Sequence, residues 1–186
     1  MSMTVRSLLV SSAIWLAALA LPVATPAQEG SRPSPKTEIK VTVGRAADDD
    51  GERPDWLVGG SFRYYASPRI SVEPEVLYLT NGPGDHHLLV APTVSADFRD
   101  PKNSVVPFGT AGGGFVYSYR RSKVRDPKRQ DEYESSHAIV PTMNLGVGLK
   151  FYFGDRFFVA PELRLGVAPF ARLQVSAGYV VSERRR

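Results

Sequence analysis

No cysteine occurs among the 186 residues of the sequence. A disulfide, a thiolate metal site, a cysteine nucleophile and a lipid anchor on cysteine are therefore excluded. Neither sign of charge is in large excess. The formal net charge is +4 and falls to about +3 once the leader described below is removed. Such a small excess does not indicate a nucleic-acid partner, and no motif predicts a cofactor.

Long hydrophobic runs are confined to the N-terminus. Arg6 precedes an apolar run from Leu8 to Val23, and small residues offer a cleavage site after Ala27. We predict a signal peptide over residues 1–27 and a periplasmic tether over residues 28–36. The alternative is an uncleaved anchor, although the run is short for a spanning helix. No later stretch has 18 continuous apolar residues, so no further transmembrane helix is predicted.

From residue 37 to residue 181 the sequence alternates between apolar and polar residues with a period of two, which is typical of strands. Ile39, Val41 and Val43, for example, alternate with Lys40 and Thr42. The pattern gives about eight segments of roughly nine to thirteen residues. This is close to the length with which a tilted strand crosses a bilayer and longer than a strand of a soluble protein. Residues 182–186 form a basic tail.

The polar faces of these segments carry charges near mid-strand, whereas the opposite faces are apolar or aromatic. The charged residues are Lys40, Arg63, Glu73, Glu75, Asp97, Lys150, Glu162, Arg164 and Arg172. This inside-out pattern predicts a closed antiparallel up-and-down transmembrane β-barrel, in which these side chains pair with one another inside a plugged lumen. The alternative is a soluble periplasmic lipocalin-like barrel that turns its apolar faces inward around a hydrophobic ligand.

The predicted connections alternate between short turns and longer polar loops, as in bacterial outer-membrane barrels with long loops outside. The longest, residues 118–136, is rich in basic residues. These are Arg120, Arg121, Lys123, Arg125, Lys128 and Arg129. Because lipopolysaccharide is anionic, we predict that they contact it; a solvated loop without this role is the alternative.

In these features the chain resembles the OmpA/OmpX-like family of small outer-membrane barrels, the outer membrane protein β-barrel domain group, over about residues 36–181. The resemblance rests on the leader, the eight alternating segments, the VEPE and VAPE segments beginning at Val72 and Val159, and the glycine-rich stretch Thr110 to Val116. It implies a non-enzymatic, structural or surface-interaction protein of the Gram-negative outer membrane. It also implies a monomer, embedded in outer-membrane lipid by the barrel-assembly machinery. Members commonly end on an aromatic residue, whereas this chain ends Ser182-Glu183-Arg184-Arg185-Arg186.

Three features remain open at this point. Five prolines fall within predicted strands, where a closed barrel has no edge to hold them; they are Pro74, Pro92, Pro107, Pro141 and Pro161. The glycine-rich segment from Val105 to Tyr117 gives no facing. A lipid A-modifying enzyme is a further alternative, with His137 beside Glu134, Ser135 and Ser136.

The sequence does not predict a metal site. His86 and His87 have no evident third ligand for a metal, and the acidic run at residues 48–52 lacks the spacing of a calcium loop.

Overall fold

The computed structural model describes residues 33–47, 55–82, 85–124 and 132–183, without the side chains of 81, 82, 120–124 and 132–135. The predicted signal peptide and the segment 125–131 lie outside these residues. Within them the chain forms eight strands and no helix. The strands are β1 (Pro35–Ala47), β2 (Asp55–Tyr65), β3 (Ile70–Gly82), β4 (Asp85–Asp97), β5 (Val105–Val124), β6 (Glu132–Phe153), β7 (Phe157–Val167) and β8 (Ala171–Glu183). Consistent with this, the described part of the chain contains no helix long and apolar enough to span a membrane.

The eight strands close into one barrel in sequence order, with β1 antiparallel to β8. Paired residues followed once around the barrel lead from Thr37 to Ala47, ten residues further along β1. With standard strand dimensions, this displacement corresponds to a strand tilt of about 41° and a barrel radius of about 8 Å. The predicted fold class, a closed antiparallel up-and-down barrel of eight strands, is confirmed.

The outer surface is apolar from one rim of the barrel to the other. Its exposed side chains include Met143 (71% exposed), Leu145 (68%) and Val41 (63%), all on the face predicted from the alternation. The shortest strands have 11 residues and at this tilt rise about 27 Å, close to the apolar band of a transmembrane barrel. We call the end with turns 66–69, 98–104 and 154–156 the turn rim and the opposite end the loop rim.

The strand prolines sit where the ladder does not need their missing N–H group. Facing Pro74, Pro92 and Pro161, the pairing between neighbouring strands lapses for two residue pairs and then resumes in the same register. Pro107 lies beyond the last pair of β5 with β4, and Pro141 lies beyond the last pair of β6 with β7. The barrel therefore accommodates proline through short gaps and rim positions without losing register.

The sequence did not predict which way the glycine-rich segment faces. In the structure Gly112 and Gly114 point inward, in phase with buried Phe108 and Val116, whereas Gly109 and Gly113 point outward. Inward glycines elsewhere make room for aromatic rings. A Cβ on Gly178 would lie 2.1 Å from Cζ of Phe158. A filled barrel of this radius needs such small positions beside its large side chains.

The structure moves three predicted boundaries. β1 begins at Pro35, inside the predicted tether, and β8 continues to Glu183, inside the predicted tail. Much of the predicted loop 118–136 is strand, because β5 and β6 pair as far as Val124 and Glu132. This hairpin extends beyond the barrel: β6 pairs with β7 only from Met143 onward. A strand that buries neither face carries no alternation, so periodicity could not reveal it.

Candidate functional site

All nine charged residues predicted for the lumen are buried inside the barrel. A tenth, Glu38, is fully buried with them. The ten side chains form two clusters, each held by ion pairs and hydrogen bonds. The first cluster, nearer the turn rim, contains Glu38, Lys40, Arg63, Glu73, Asp97 and Lys150. The second, nearer the loop rim, contains Glu75, Glu162, Arg164 and Arg172.

The first cluster is built around three cations, Lys40, Arg63 and Lys150. Arg63 Nε donates to Glu73 Oε2 at 2.5 Å, and Lys40 Nζ lies 2.6 Å from the other oxygen of the same carboxylate. Lys150 Nζ donates to both oxygens of Asp97 at 3.1 Å and lies 3.7 Å from Glu38 Oε2. Glu73 and Lys150 thus each bridge groups on two other strands, which fixes the interior arrangement.

Two buried tyrosines complete the first cluster. The hydroxyls of Tyr65 and Tyr152 lie 3.2 and 2.8 Å from Glu38 Oε1. Tyr65 OH also lies 2.9 Å from Asp97 Oδ2 and accepts from Lys150 Nζ at 2.5 Å. A buried carboxylate is tolerated when several donors surround it, and Glu38 meets that condition.

The second cluster centres on Arg164. Its Nε donates to Glu162 Oε1 at 2.7 Å, and its Nη1 donates to Glu75 Oε1 at 3.2 Å. Arg172 Nη1 donates to the same Glu75 oxygen at 3.0 Å, and Gln174 Nε2 donates to Glu162 Oε2 at 3.0 Å. One guanidinium therefore joins carboxylates from opposite sides of the barrel.

Both clusters are electrically balanced. The first holds three cations and three anions, and the second holds two of each. The balance of the first depends on Glu38, which the sequence analysis missed. Glu38 stands two residues before Lys40, in the same inward phase of β1, so starting the alternation two residues earlier would have found it.

Apolar side chains fill the barrel on either side of the clusters. One group lies at the turn rim and consists of Val106, Phe108, Tyr152, Phe158, Ala160 and Val180. The other lies towards the loop rim and consists of Ala46, Leu57, Leu77, Leu79, Leu89, Ala91 and Val116. The sequence analysis did not predict these two caps, because an apolar residue in the inward phase breaks the polar alternation only locally.

The histidines face in two directions. His87 points inward near the loop rim, with Nδ1 2.9 Å from Ser118 Oγ and Nε2 3.3 Å from Asp85 Oδ1. His86 and His137 lie in the outward phase, each with Nδ1 2.7 Å from a tyrosine hydroxyl. His137 and Ser136 are adjacent in β6 and therefore point to opposite faces. Across the described ranges, no three His, Asp or Glu residues are grouped to hold a metal ion.

The predicted lipopolysaccharide-contacting residues are only partly described. Arg120, Arg121 and Lys123 occupy positions of β5 that pair with residues 136, 135 and 133 of β6. Arg125, Lys128 and Arg129 lie outside the described residues.

Comparison with solved structures identifies similar folds. The N-terminal β-barrel domain of Pseudomonas aeruginosa OprF matches with a TM-score of 0.62 and 18% identity, over 80% of this chain and 98% of that chain. The chain has the fold of small outer-membrane barrels. Neisserial surface protein A matches with a TM-score of 0.57 and 9% identity, over 77% and 95%. The predicted resemblance is thereby confirmed for the fold; no family model and no curated protein matches the sequence.

Proposed function

We propose that this protein is a non-enzymatic barrel of the bacterial outer membrane, closed to transport through its interior and acting through its membrane surface and outward hairpins. The observation that carries the proposal is the polarity of the barrel. Ten charged side chains are buried inside it, while its outer surface exposes large apolar side chains along every strand. In water that surface would be a far larger apolar patch than soluble monomers expose, whereas in a bilayer it faces hydrocarbon.

The same polarity argues against the lipocalin-like alternative. A binder of that class needs an apolar cavity lined by inward side chains. Here the inward positions between the two apolar caps include two ion pairs, Arg63 with Glu73 and Arg164 with Glu162. In the described part of the chain, these inward positions are therefore polar and paired, unlike the lining of a hydrophobic ligand cavity.

The two clusters and the two apolar caps support the proposal of a plugged interior. Moving an ion through the barrel would require breaking several buried ion pairs at once. Each broken pair would leave buried charges without a partner, which is costly. We also propose that the protein is a monomeric envelope component, inserted by the barrel-assembly machinery. Its basic outward hairpin, with Arg120, Arg121, Lys123, Arg125, Lys128 and Arg129, is proposed to contact lipopolysaccharide.

The proposal is tested with the purified mature chain in detergent. We expect an unboiled sample to migrate differently from a boiled one, with a β-type circular-dichroism spectrum, and to give no ion current in planar bilayers. In cells the protein should sediment with the outer membrane. A chain that is folded and soluble without detergent would refute membrane insertion, and a steady current would refute the plugged interior.

One observation favours a second candidate, a hydrolase acting on an ester of the envelope. Ser118, His87 and Asp85 form a contact series of nucleophile, base and acid near the loop rim, an arrangement that activates serine in hydrolases. Release of fatty acid from lipopolysaccharide by the purified barrel, lost in Ser118→Ala, would establish this activity. Equal, background-level release by both proteins would eliminate it.

A further inference from the structure

Two identical tyrosine–histidine pairs lie on the outer surface at the loop rim. Tyr78 of β3 pairs in register with Leu88 of β4, and its hydroxyl reaches diagonally to Nδ1 of His86 at 2.7 Å. Tyr117 of β5 pairs with Ile139 of β6, and its hydroxyl reaches Nδ1 of His137 by the same diagonal step at 2.7 Å. Diagonal neighbours on one face of a sheet are within reach of long side chains.

Tyr119 joins the two pairs into a row. It is in register with His86 on one side and with His137 on the other. Its ring centroid lies 6.4 Å from that of His86 and 5.1 Å from that of His137. The row therefore crosses four adjacent strands, β3 to β6, and holds the two imidazoles apart by about two strand spacings, roughly 10 Å. We call these five side chains, Tyr78, His86, Tyr117, Tyr119 and His137, the ring row.

Each tyrosine leaves its histidine with one nitrogen for an outside partner. When the hydroxyl donates to Nδ1 of the neutral ring, the ring proton is on Nε2. When the ring is protonated, Nδ1–H donates to the tyrosine oxygen and Nε2–H is still a donor. Neither Nε2 has a partner among the described residues. In the tautomer in which each tyrosine donates, and in the doubly protonated ring, the ring row therefore presents two N–H donors.

The position of the ring row determines which ligand can reach it. It continues the outward phase of Leu88, Phe115 and Ile139, all exposed, and lies directly on the loop side of these apolar residues. In an outer-membrane barrel this is the level of the outer headgroups. The same hairpin carries Arg121 and Lys123 further along β5, so the surroundings are basic in sequence.

We propose that the ring row binds the phosphorylated sugar headgroup of lipopolysaccharide, with one phosphate accepting from each Nε2–H. A lipopolysaccharide headgroup carries two phosphates on a disaccharide, whereas a phospholipid carries one phosphate, so two donors about two strand spacings apart fit the former. Hydrogen bonds to charged phosphate are the stronger kind. This inference rests on the proposed location in the outer membrane and deepens the predicted lipopolysaccharide contact by naming a second, ring-based site.

The test measures binding of purified lipopolysaccharide to the full barrel in detergent. The double variant His86→Phe/His137→Phe keeps the rings and their packing but removes both donors. We expect its affinity to fall tenfold to a hundredfold, about tenfold for each charge-assisted bond lost. His86→Gln/His137→Gln, which keeps an N–H donor on each side chain, should recover part of the affinity. Tyr64→Phe, on the outer surface at the turn rim, is the control and should bind like the wild type.

Each outcome decides the proposal separately from the proposed function. Unchanged affinity in the Phe variant, or wild-type affinity for dephosphorylated lipopolysaccharide, overturns it. Equal, histidine-dependent binding of phosphatidylglycerol micelles assigns the site to phospholipid and also overturns it. Heat-modifiable migration of each variant reports on the barrel itself. If the double variant does not fold, Tyr78→Phe/Tyr117→Phe, which removes only the hydroxyls that orient the imidazoles, should still weaken binding.

Discussion

Removing the amine of Lys150 tests the interior network directly. Lys150 is the only side chain that forms an ion pair with Asp97 in the described part of the chain, and Lys150→Met leaves the first cluster with two cations and three anions. Breaking a buried ion pair by removing one partner costs about 3–5 kcal/mol. With a urea dependence of about 2 kcal/mol per molar, this lowers the unfolding midpoint by about 2 M.

The assay is urea unfolding of the barrel in lipid vesicles, with the folded fraction read from gel mobility without boiling. Lys150→Met/Asp97→Asn restores two cations to two anions, so it should recover most of the lost stability. Arg156→Gln is the control: its 3.9 Å pair with Glu183 is exposed at the turn rim, and we expect no measurable change. A single variant as stable as the wild type, or a double variant no better than the single, would refute the reasoning.

Three further predictions use the same unfolding assay. Glu38→Gln should destabilise the barrel less than Lys150→Met, because the amide oxygen still accepts from the hydroxyls of Tyr65 and Tyr152; a larger loss would contradict this. Gly178→Ala should cost about 1–3 kcal/mol, since its Cβ would lie 2.1 Å from a ring atom of Phe158; unchanged stability would contradict the packing. Leu145→Arg places a charge on the lipid face and should cost about 2–4 kcal/mol if Leu145 lies near the bilayer midplane, whereas in a water-soluble protein the same exposed position would tolerate arginine.

The sequence predicted which face of each strand points inward because polar and apolar residues alternate along the strands. Polar residues such as Lys40 and Glu162 indicate the inward phase when their neighbours, Val41 and Leu163, are apolar. Where a segment lacks this contrast, the prediction fails for a physical reason. Glycine carries no polarity, so the facing of β5 was open, and apolar Leu77 resembles its outward neighbours Val76 and Tyr78, so the cap to which it belongs was not seen.

Partners across the barrel are beyond any single-sequence pattern. Periodicity assigns Glu75 and Arg164 to the interior, but their contact depends on how far the strands are displaced around the barrel. That displacement is a property of all eight pairings together.

The sequence analysis did not predict the ring row for a related reason. Its residues belong to four strands, and only the strand register brings the two tyrosine–histidine pairs side by side.

The balance of charge inside the barrel has a consequence for how it can be assembled. Glu38 of β1 meets Lys150 of β6, and Glu75 of β3 meets Arg164 of β7. No single hairpin contains both members of either pair, so these pairs are not yet formed in a partly assembled sheet. Hydrocarbon strongly disfavours such a sheet. Insertion is therefore expected to be all-or-none, with the last seam, between β1 and β8, forming as the interior charges meet.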